Sequence, residues 1–429
     1  MMTAPEAVRR YLDRNRVKGP WRLDGNEQTG YYGAIIIPSL AEGDRLFKTL
    51  QCLDANPPRD KDRFLTIVVV NHGQHASAAT KQQNANDLER LAGFAKSSEL
   101  SLAWIDAASL GREVTSKLAG VGLARKLGMD QALSQLDWTA DPLLVCLDAD
   151  TLVEKSYLQT ITKQFHRTKA GAAVLPFRHQ AGTDRAQQSA IERYELYLRG
   201  YVYGLRLANS PYAFHSVGSA MACRASAYVR CGGMNGRKAG EDFYFLQKLA
   251  KTAGVEQLSG PTVYPEPRVS DRVPFGTGRS MLRLLEGSSQ AVLLYPVEVF
   301  KTLAGWLHTV SRDLDADAVK LLAAAEKISP VLAGYLEQLG WEKVWPRLQS
   351  THPANLKRRQ AFHIWFDGFR TMRLIHLLCD SGFSRGEPDV LLPEYFAWDD
   401  RPCPNSLPGM LEELRRLDRV QASISLSKI

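Results

Sequence analysis

Four apolar runs punctuate the first 150 residues, and each ends in a polar turn. They are Ala-Ile-Ile-Ile at 34–37, stopped by Pro38; Phe-Leu-Thr-Ile-Val-Val-Val at 64–70; Leu-Ser-Leu-Ala-Trp-Ile-Asp at 100–106; and Leu-Leu-Val-Cys-Leu at 143–147. Continuous β-branched runs of this length suit strands buried on both faces, as in a parallel sheet covered by helices. The intervening segments carry a helical period instead: "GDRLFKTLQCLDA" places Leu46, Leu50 and Leu53 on one stripe, and "NDLERLAGFA" and "GVGLARKLGMDQAL" read as helices. Strand and helix alternate, so the expected fold is α/β, with ligands held beyond the carboxyl ends of the strands.

The pattern continues through the strand-like "AGAAVLPF", a long helix from about 187 to 207, and the strand-like "VGSAMACR". Beyond about Met281 strand signals give way to helical ones, as in "LLYPVEVFKTLAGWLHTV" and "ADAVKLLAAAEKI". A chain of 429 residues exceeds what one core usually serves. The expected organisation is an N-terminal extension over 1–30, an α/β domain over 31–280 and a helical C-terminal domain over 281–429.

Net charge is +8, which suits an anionic ligand or surface. No aromatic-basic platform or helix-turn-helix signature points to nucleic acid, and none is expected as a partner. The six cysteines form no CxxC pair and read as reduced thiols. The N-terminus lacks an apolar core of the signal-peptide kind, and nowhere do about 18 apolar residues follow one another. The expected location is cytoplasmic.

Leu-Asp-Ala-Asp occurs twice, at 147–150 and 314–317. The first copy ends an apolar run, so Asp148 and Asp150 emerge at a strand end, where two hard oxygen ligands suit Mg²⁺ or Mn²⁺ shared with substrate phosphates. The second copy precedes a helical pattern, where Asp315 or Asp317 would cap a helix amino terminus.

Taken in order, "IIIPSLAEGDRL", "TIVVVNHG", "GVGLARKLGMDQAL", "LDAD" and "GEDFYF" resemble the motifs of family 2 type glycosyltransferases with the GT-A, Rossmann-like nucleotide-diphospho-sugar transferase fold. The resemblance covers about 31–281 and implies a non-processive, metal-dependent transfer of sugar from a nucleotide-sugar donor to a glycan or lipid-linked acceptor. It implies that Pro38, Glu42 and Asn71 line the nucleotide pocket, that Arg125 meets the donor's anionic groups, that Asp150 is the principal metal ligand, and that Asp148 lies near the ribose or the metal. Where the family often has Asn before the Glu of its first loop, this chain has Ala41; where it has an acidic pair after its second strand, this chain has Asn71-His72.

Transfer to a hydroxyl needs a carboxylate within hydrogen-bond reach of it. Asp242 is the expected base, with Glu241 orienting it or contacting the acceptor; the alternative is that both serve only as acidic residues at a helix start. "RVSDRVPFGTGRSM", with Arg268, Arg272 and Arg279, is expected to be a basic loop closing on the leaving diphosphate, or else a solvated linker. His215 is read as hydrogen-bonded structure or a sugar contact, and Gly232-Gly233 as a turn admitting the donor. Finally, "KRRQAFHIWFDGFRTMRLIHLL" carries an aromatic stripe through Phe362, Trp365, Phe366, Phe369 and Met372, which either packs against another helix or lies peripherally on an anionic membrane. Rival readings are a nucleotidyltransferase, which would want a glycine-rich basic loop after the first strand, and an inactive sugar- or nucleotide-binding module on the same fold.

Overall fold

The computed structural model describes residues 4–115, 119–272, 274, 276–288 and 290–420. These fall into two compact units: the described residues of Met1–Ala181 with Ser216–Arg279, and those of Gly182–His215 with Ser280–Ile429.

The first unit holds ten strands: β1 (Leu23–Asp24), β2 (Gly33–Ser39), β3 (Phe64–Asn71), β4 (Leu102–Ala107), β5 (Leu143–Cys146), β6 (Thr151–Val153), β7 (Ala172–Val174), β8 (Met221–Arg224), β9 (Val255–Gln257) and β10 (Val263–Pro265). Eight form one mixed sheet in the order β1-β4-β3-β2-β5-β8-β7-β9, and β10 pairs with β6 in a separate ribbon. The pairs β2/β3, β3/β4 and β2/β5 are parallel, with Ile36 opposite both Ile67 and Cys146. The four apolar runs became four adjacent strands, β4-β3-β2-β5, and β3 and β5 among them are buried throughout, as strands covered on both faces are.

The sheet grows outward from β2 to β3 and β4, then returns to place β5 on the other side of β2. That reversal makes the carboxyl ends of β2 and β5 a topological switch point, where loops diverge and leave a crevice. The helix Asp44–Asp54 buries Leu46, Leu50 and Leu53 completely, as its stripe predicted. The helix Val121–Ala132 lies against β2 because Gly128 has no side chain: a Cβ there would stand 2.6 Å from Ile36 Cγ2.

The polar N-terminal extension carries a short helix. The helix Glu6–Asn15 buries Tyr11, whose hydroxyl donates to Asp130 Oδ1 at 2.8 Å beside the Tyr228 hydroxyl, which donates to the same oxygen at 2.7 Å. Gly233 serves this docking, since a Cβ there would come within 1.9 Å of the Tyr11 hydroxyl oxygen. Its role is to make room for Tyr11, where the sequence suggested an approach to the donor.

The named elements among the second unit's described residues are all helices. Its core contains Trp306, Trp341, Trp345, Phe362 and Phe366, with Trp306 edge-on to Trp341 at 5.1 Å and Trp341 stacked on Trp345 at 5.0 Å. The aromatic stripe is split between two helices, Asn355–Trp365 and Gly368–Asp380, because Asp367 accepts from Arg370 N at 3.0 Å and starts the second one. Phe362 and Phe366 face inward, while Trp365, Phe369 and Met372 are half-buried. No helix among the described residues is long and apolar enough to cross a membrane. The second Leu-Asp-Ala-Asp copy is a cap: Asp317 accepts from Lys320 N at 2.7 Å at the start of Ala318–Ile328, and Asp315 pairs with Arg358 at 2.7 Å.

A buried ion network ties this unit together. Asp418 meets Arg199, Arg206 at 2.7 Å and His215 Nε2 at 2.9 Å, while Glu195 meets Arg199 and Arg415. His215 is thus structural. Although burial alone would raise the Asp418 carboxyl, His215, Arg199 and Arg206 hold it well below the usual carboxylate range. A depressed carboxyl contributes stability that is complete above its unfolded value of about 3.9 and is lost as pH falls through the folded value. Accordingly, Asp418→Asn is less stable than the wild type at pH 7, and the gap closes as the solution is acidified below that range. Urea unfolding at stepped pH measures the gap; a gap independent of pH would remove Asp418 from the acid response.

Candidate functional site

The carboxyl ends of β2, β3 and β5 bring Pro38, Asn71, Asp148 and Asp150 to one edge of the sheet. The loop after β2, which carries Glu42, is shaped from the helix Ala78–Ser97. Asn84, fully buried, accepts from Ala41 N at 2.7 Å and donates to Asn71 O at 3.4 Å, and Asp87 accepts from Gly43 N at 3.2 Å. Ala41 takes a left-handed conformation with φ of 52°, which Asn adopts more readily than Ala. Asn84 and Asp87 escaped the sequence reading because nothing in a polar helix announces which side chains turn inward.

The acidic turn after β5 is clamped through its backbone. Thr49 Oγ1 donates to Ala149 O at 3.0 Å, and Gln180 Nε2 donates to Asp150 O at 3.0 Å and to Tyr264 O at 2.8 Å. The backbone of the turn is thereby held independently of its two carboxylate side chains.

Arg125, 2% exposed, stands beneath the turn. Its Nη2 donates to Asp148 Oδ1 at 2.5 Å, and its Nη1 donates to Glu241. The guanidinium fits because residue 218 is glycine: a Cβ there would lie 2.3 Å from Nη2. On the other side, Gly122 lets the same helix approach the segment before Glu241, where a Cβ would meet Arg237 O at 2.3 Å. Two of the sequence motifs, Leu-Asp-Ala-Asp at 147–150 and Glu-Asp at 241–242, are joined by this one side chain. Both of its terminal nitrogens donate to protein carboxylates.

Glu241 and Asp242 open the helix Glu241–Thr252, and Asp242 Oδ1 accepts from Phe243 N at 2.7 Å. Asp242 is partly exposed and Glu241 is buried. Burial raises both carboxyls above their ordinary range, with Arg125 opposing in each case. Burial likewise pushes Asp150 up to about 7, against the pull of Arg268 and with Asp148 and Glu42 adding to the rise.

The basic segment reaches the same edge. Arg268 donates through both Nη atoms to Glu42, at 2.7 and 2.8 Å, and its Nε pairs with Asp150 Oδ2 at 2.9 Å. Arg272 Nη1 donates to Glu42 Oε1 at 2.6 Å, while Arg279 lies partly exposed on the helix Thr277–Leu285. Among the described residues, no cluster of three or more His, Cys, Asp or Glu side chains could hold a cation by itself.

No family model matches this chain, and no curated protein matches it. Solved structures resemble it at low identity. One is S. aureus TarS 1–349 in complex with UDP-GlcNAc, 13% identical, covering 76% of this chain and 89% of that one with a TM-score of 0.40. Another is the mannosyltransferase PcManGT from Pyrobaculum calidifontis in complex with GDP-Man and Mn²⁺, 13% identical, covering 96% and 92% with a TM-score of 0.35. A likeness of this strength leaves the family open, and the functional reading rests on the residues themselves.

Proposed function

We propose that the sheet-bearing unit is a GT-A glycosyltransferase domain of the family 2 type, which transfers a sugar from a nucleoside-diphosphate donor to an acceptor hydroxyl with the help of Mg²⁺ or Mn²⁺. The observation that carries the reading is the convergence, at the β2/β5 switch point, of a strand-end pair, Asp148 and Asp150, with a helix-start pair, Glu241 and Asp242, joined through Arg125. One acidic pair suits a cation and diphosphate; the other suits a proton acceptor on the opposite side of the sugar.

The residues fit a divalent cation that arrives with its substrate. Two carboxylates two positions apart are too few to cage a metal, but Mg²⁺ and Mn²⁺ accept one or two carboxylates and take their remaining oxygens from phosphates and water. Asp150 and Asp148 would hold it, and when bound it would act as a Lewis acid that neutralises charge on the leaving diphosphate. Pro38, Glu42 and Asn71 border the nucleotide's place. Arg272 and Arg279 supply positive charge near the leaving group.

Asp242 takes the acceptor proton as the new glycosidic bond forms. Burial raises its carboxyl above the ordinary range, which makes it a stronger base than an exposed aspartate. Direct displacement by the deprotonating hydroxyl inverts the anomeric centre. The acceptor is a glycan or a lipid-linked glycan, following the resemblance of the motifs.

Calorimetric titration with UDP, GDP and dTDP, each with and without Mn²⁺, tests the donor site. One nucleotide is expected to bind in a Mn²⁺-dependent way, and Asp150→Ala is expected to weaken it at least about tenfold, the loss of one charged ligand contact. Binding that ignores Mn²⁺ and survives Asp150→Ala would sink the assignment.

A further inference from the structure

Arg268 has an unusual set of partners for a residue in an irregular segment. Its two Nη atoms fork onto the carboxylate of Glu42, while its remaining N–H edge pairs with Asp150 Oδ2 at 2.9 Å. One guanidinium thereby neutralises two carboxylates whose side chains are only 5% and 14% exposed. Glu42 belongs to the loop after β2 and Asp150 to the turn after β5, so this single cation bridges the two lips of the switch-point crevice. Two carboxylates that close together at low exposure repel strongly unless a cation sits with them.

A divalent cation at Asp150 would compete for the same charge. Arg268 lies outside regular secondary structure, between β10 and the helix Thr277–Leu285. Nearby, Ser270 N donates to Gly278 O at 3.1 Å. The Arg268 side chain is itself about a quarter exposed, on the crevice's rim, where a diphosphate would offer oxygens in the same fork geometry as a carboxylate.

We propose that Arg268 is an exchange cation: in the donor-free protein it occupies the carboxylates of Asp150 and Glu42, and when donor and metal arrive together it transfers its fork to the diphosphate while the metal takes Asp150. The inference rests on the donor-site reading above and deepens it. It makes metal and nucleotide binding mutually dependent. A metal alone must displace a fixed guanidinium with nothing for it to move onto, and a diphosphate alone faces carboxylates whose countercharge it would be removing. Only the pair leaves every charge matched. Arg272, which shares Glu42 at 2.6 Å, keeps that carboxylate paired after Arg268 leaves.

The test is Mn²⁺ affinity, read by electron paramagnetic resonance of the free ion, with and without UDP or GDP. In the wild type, Mn²⁺ alone is expected to bind weakly, and the nucleotide to strengthen it by about tenfold or more, within the usual range of site coupling. In Arg268→Ala, Mn²⁺ alone binds at least about tenfold tighter than in the wild type, and the strengthening by nucleotide falls below about threefold. Circular dichroism confirms that the variant is folded. If alanine prevents folding, Arg268→Lys, which keeps the charge and loses the fork, answers the same question: tighter Mn²⁺ binding than the wild type supports the exchange. Mn²⁺ affinity unchanged in the folded variant overturns it. Should neither nucleotide bind the wild type, the donor-site reading fails by itself, and the comparison with Mn²⁺ alone still decides whether Arg268 competes with a cation.

Discussion

Replacing Asp242 with Asn lowers kcat by about 10²- to 10⁴-fold, the usual contribution of a positioned general base, while the Kd of the nucleotide changes by less than about threefold. The substitution is nearly isosteric, and the amide oxygen of Asn keeps the acceptor that Phe243 N uses at 2.7 Å. The helix start is therefore preserved, and only the capacity to take a proton is lost. That capacity is needed in the transition state and not for holding the donor, which is why kcat and binding separate. The same substitution decides between the two readings of the Glu-Asp pair. If Asp242 were merely a favourable charge on a helix dipole, Asn would cost a few tenths of a kcal/mol to about 1 kcal/mol of stability and leave turnover intact. Steady-state kinetics with the identified donor, alongside calorimetric Kd values, measures both quantities. A parallel loss of kcat and affinity would place Asp242 in the donor pocket and not at the acceptor.

The parts of this protein that were legible in its sequence are those whose physics is local. Ile35, Ile67, Val69 and Val145 are completely buried because they lie in runs that have no polar face to offer water, and such runs leave little choice but a central strand. Their order along the chain, with helices between, was enough to put Asp148 and Asp150 at a strand end. Asp317 was also legible, since a cap depends only on the residues that follow it. Pairings across long sequence distance were not legible. Glu42 and Arg268 stand 226 positions apart, and no pattern at either end names the other. The helix Arg185–Leu207 illustrates a different limit. Its amphipathic spacing announces a buried face but not what buries it, and it belongs with the C-terminal helices, packing on Val297–Arg312, Pro388–Trp398 and Leu407–Val420. Tyr11 was missed for the opposite reason: one aromatic residue in a charged segment gives no period, yet a single well-placed hydroxyl on Asp130 is enough to dock a short helix. Glycine positions were visible as letters and silent as to cause. Gly218 and Gly122 show their purpose only when the guanidinium and the backbone carbonyl that would strike a Cβ are in place.

Arg125→Met destabilises the protein by about 3–5 kcal/mol, the cost of breaking a buried ion pair from one side. The methionine fills much of the same volume, so the loss comes from charge and not from a cavity. It leaves Glu241 and Asp148 facing each other across the space that the guanidinium occupied, with Glu241 almost completely buried. Carboxylates in that position would take up protons, which means that the variant's deficit should shrink in mildly acid solution. A second substitution separates the charge effect from any misfit of the side chain. Glu241→Gln made on top of Arg125→Met removes one of the two stranded charges, and the double variant is expected to be more stable than Arg125→Met alone. Glu241→Gln in the wild-type background removes a partner that Arg125 needs and is expected to destabilise. The two substitutions are therefore coupled with opposite signs in the two backgrounds, and the interaction energy of the double-mutant cycle should exceed about 1 kcal/mol, as for residues in one charged network. Urea unfolding of the four proteins at pH 7 supplies the cycle. Additive effects would mean that Arg125 stabilises its helix locally; it would then not join the strand-end and helix-start carboxylates into one site, and the convergence on which the catalytic reading depends would lose its support.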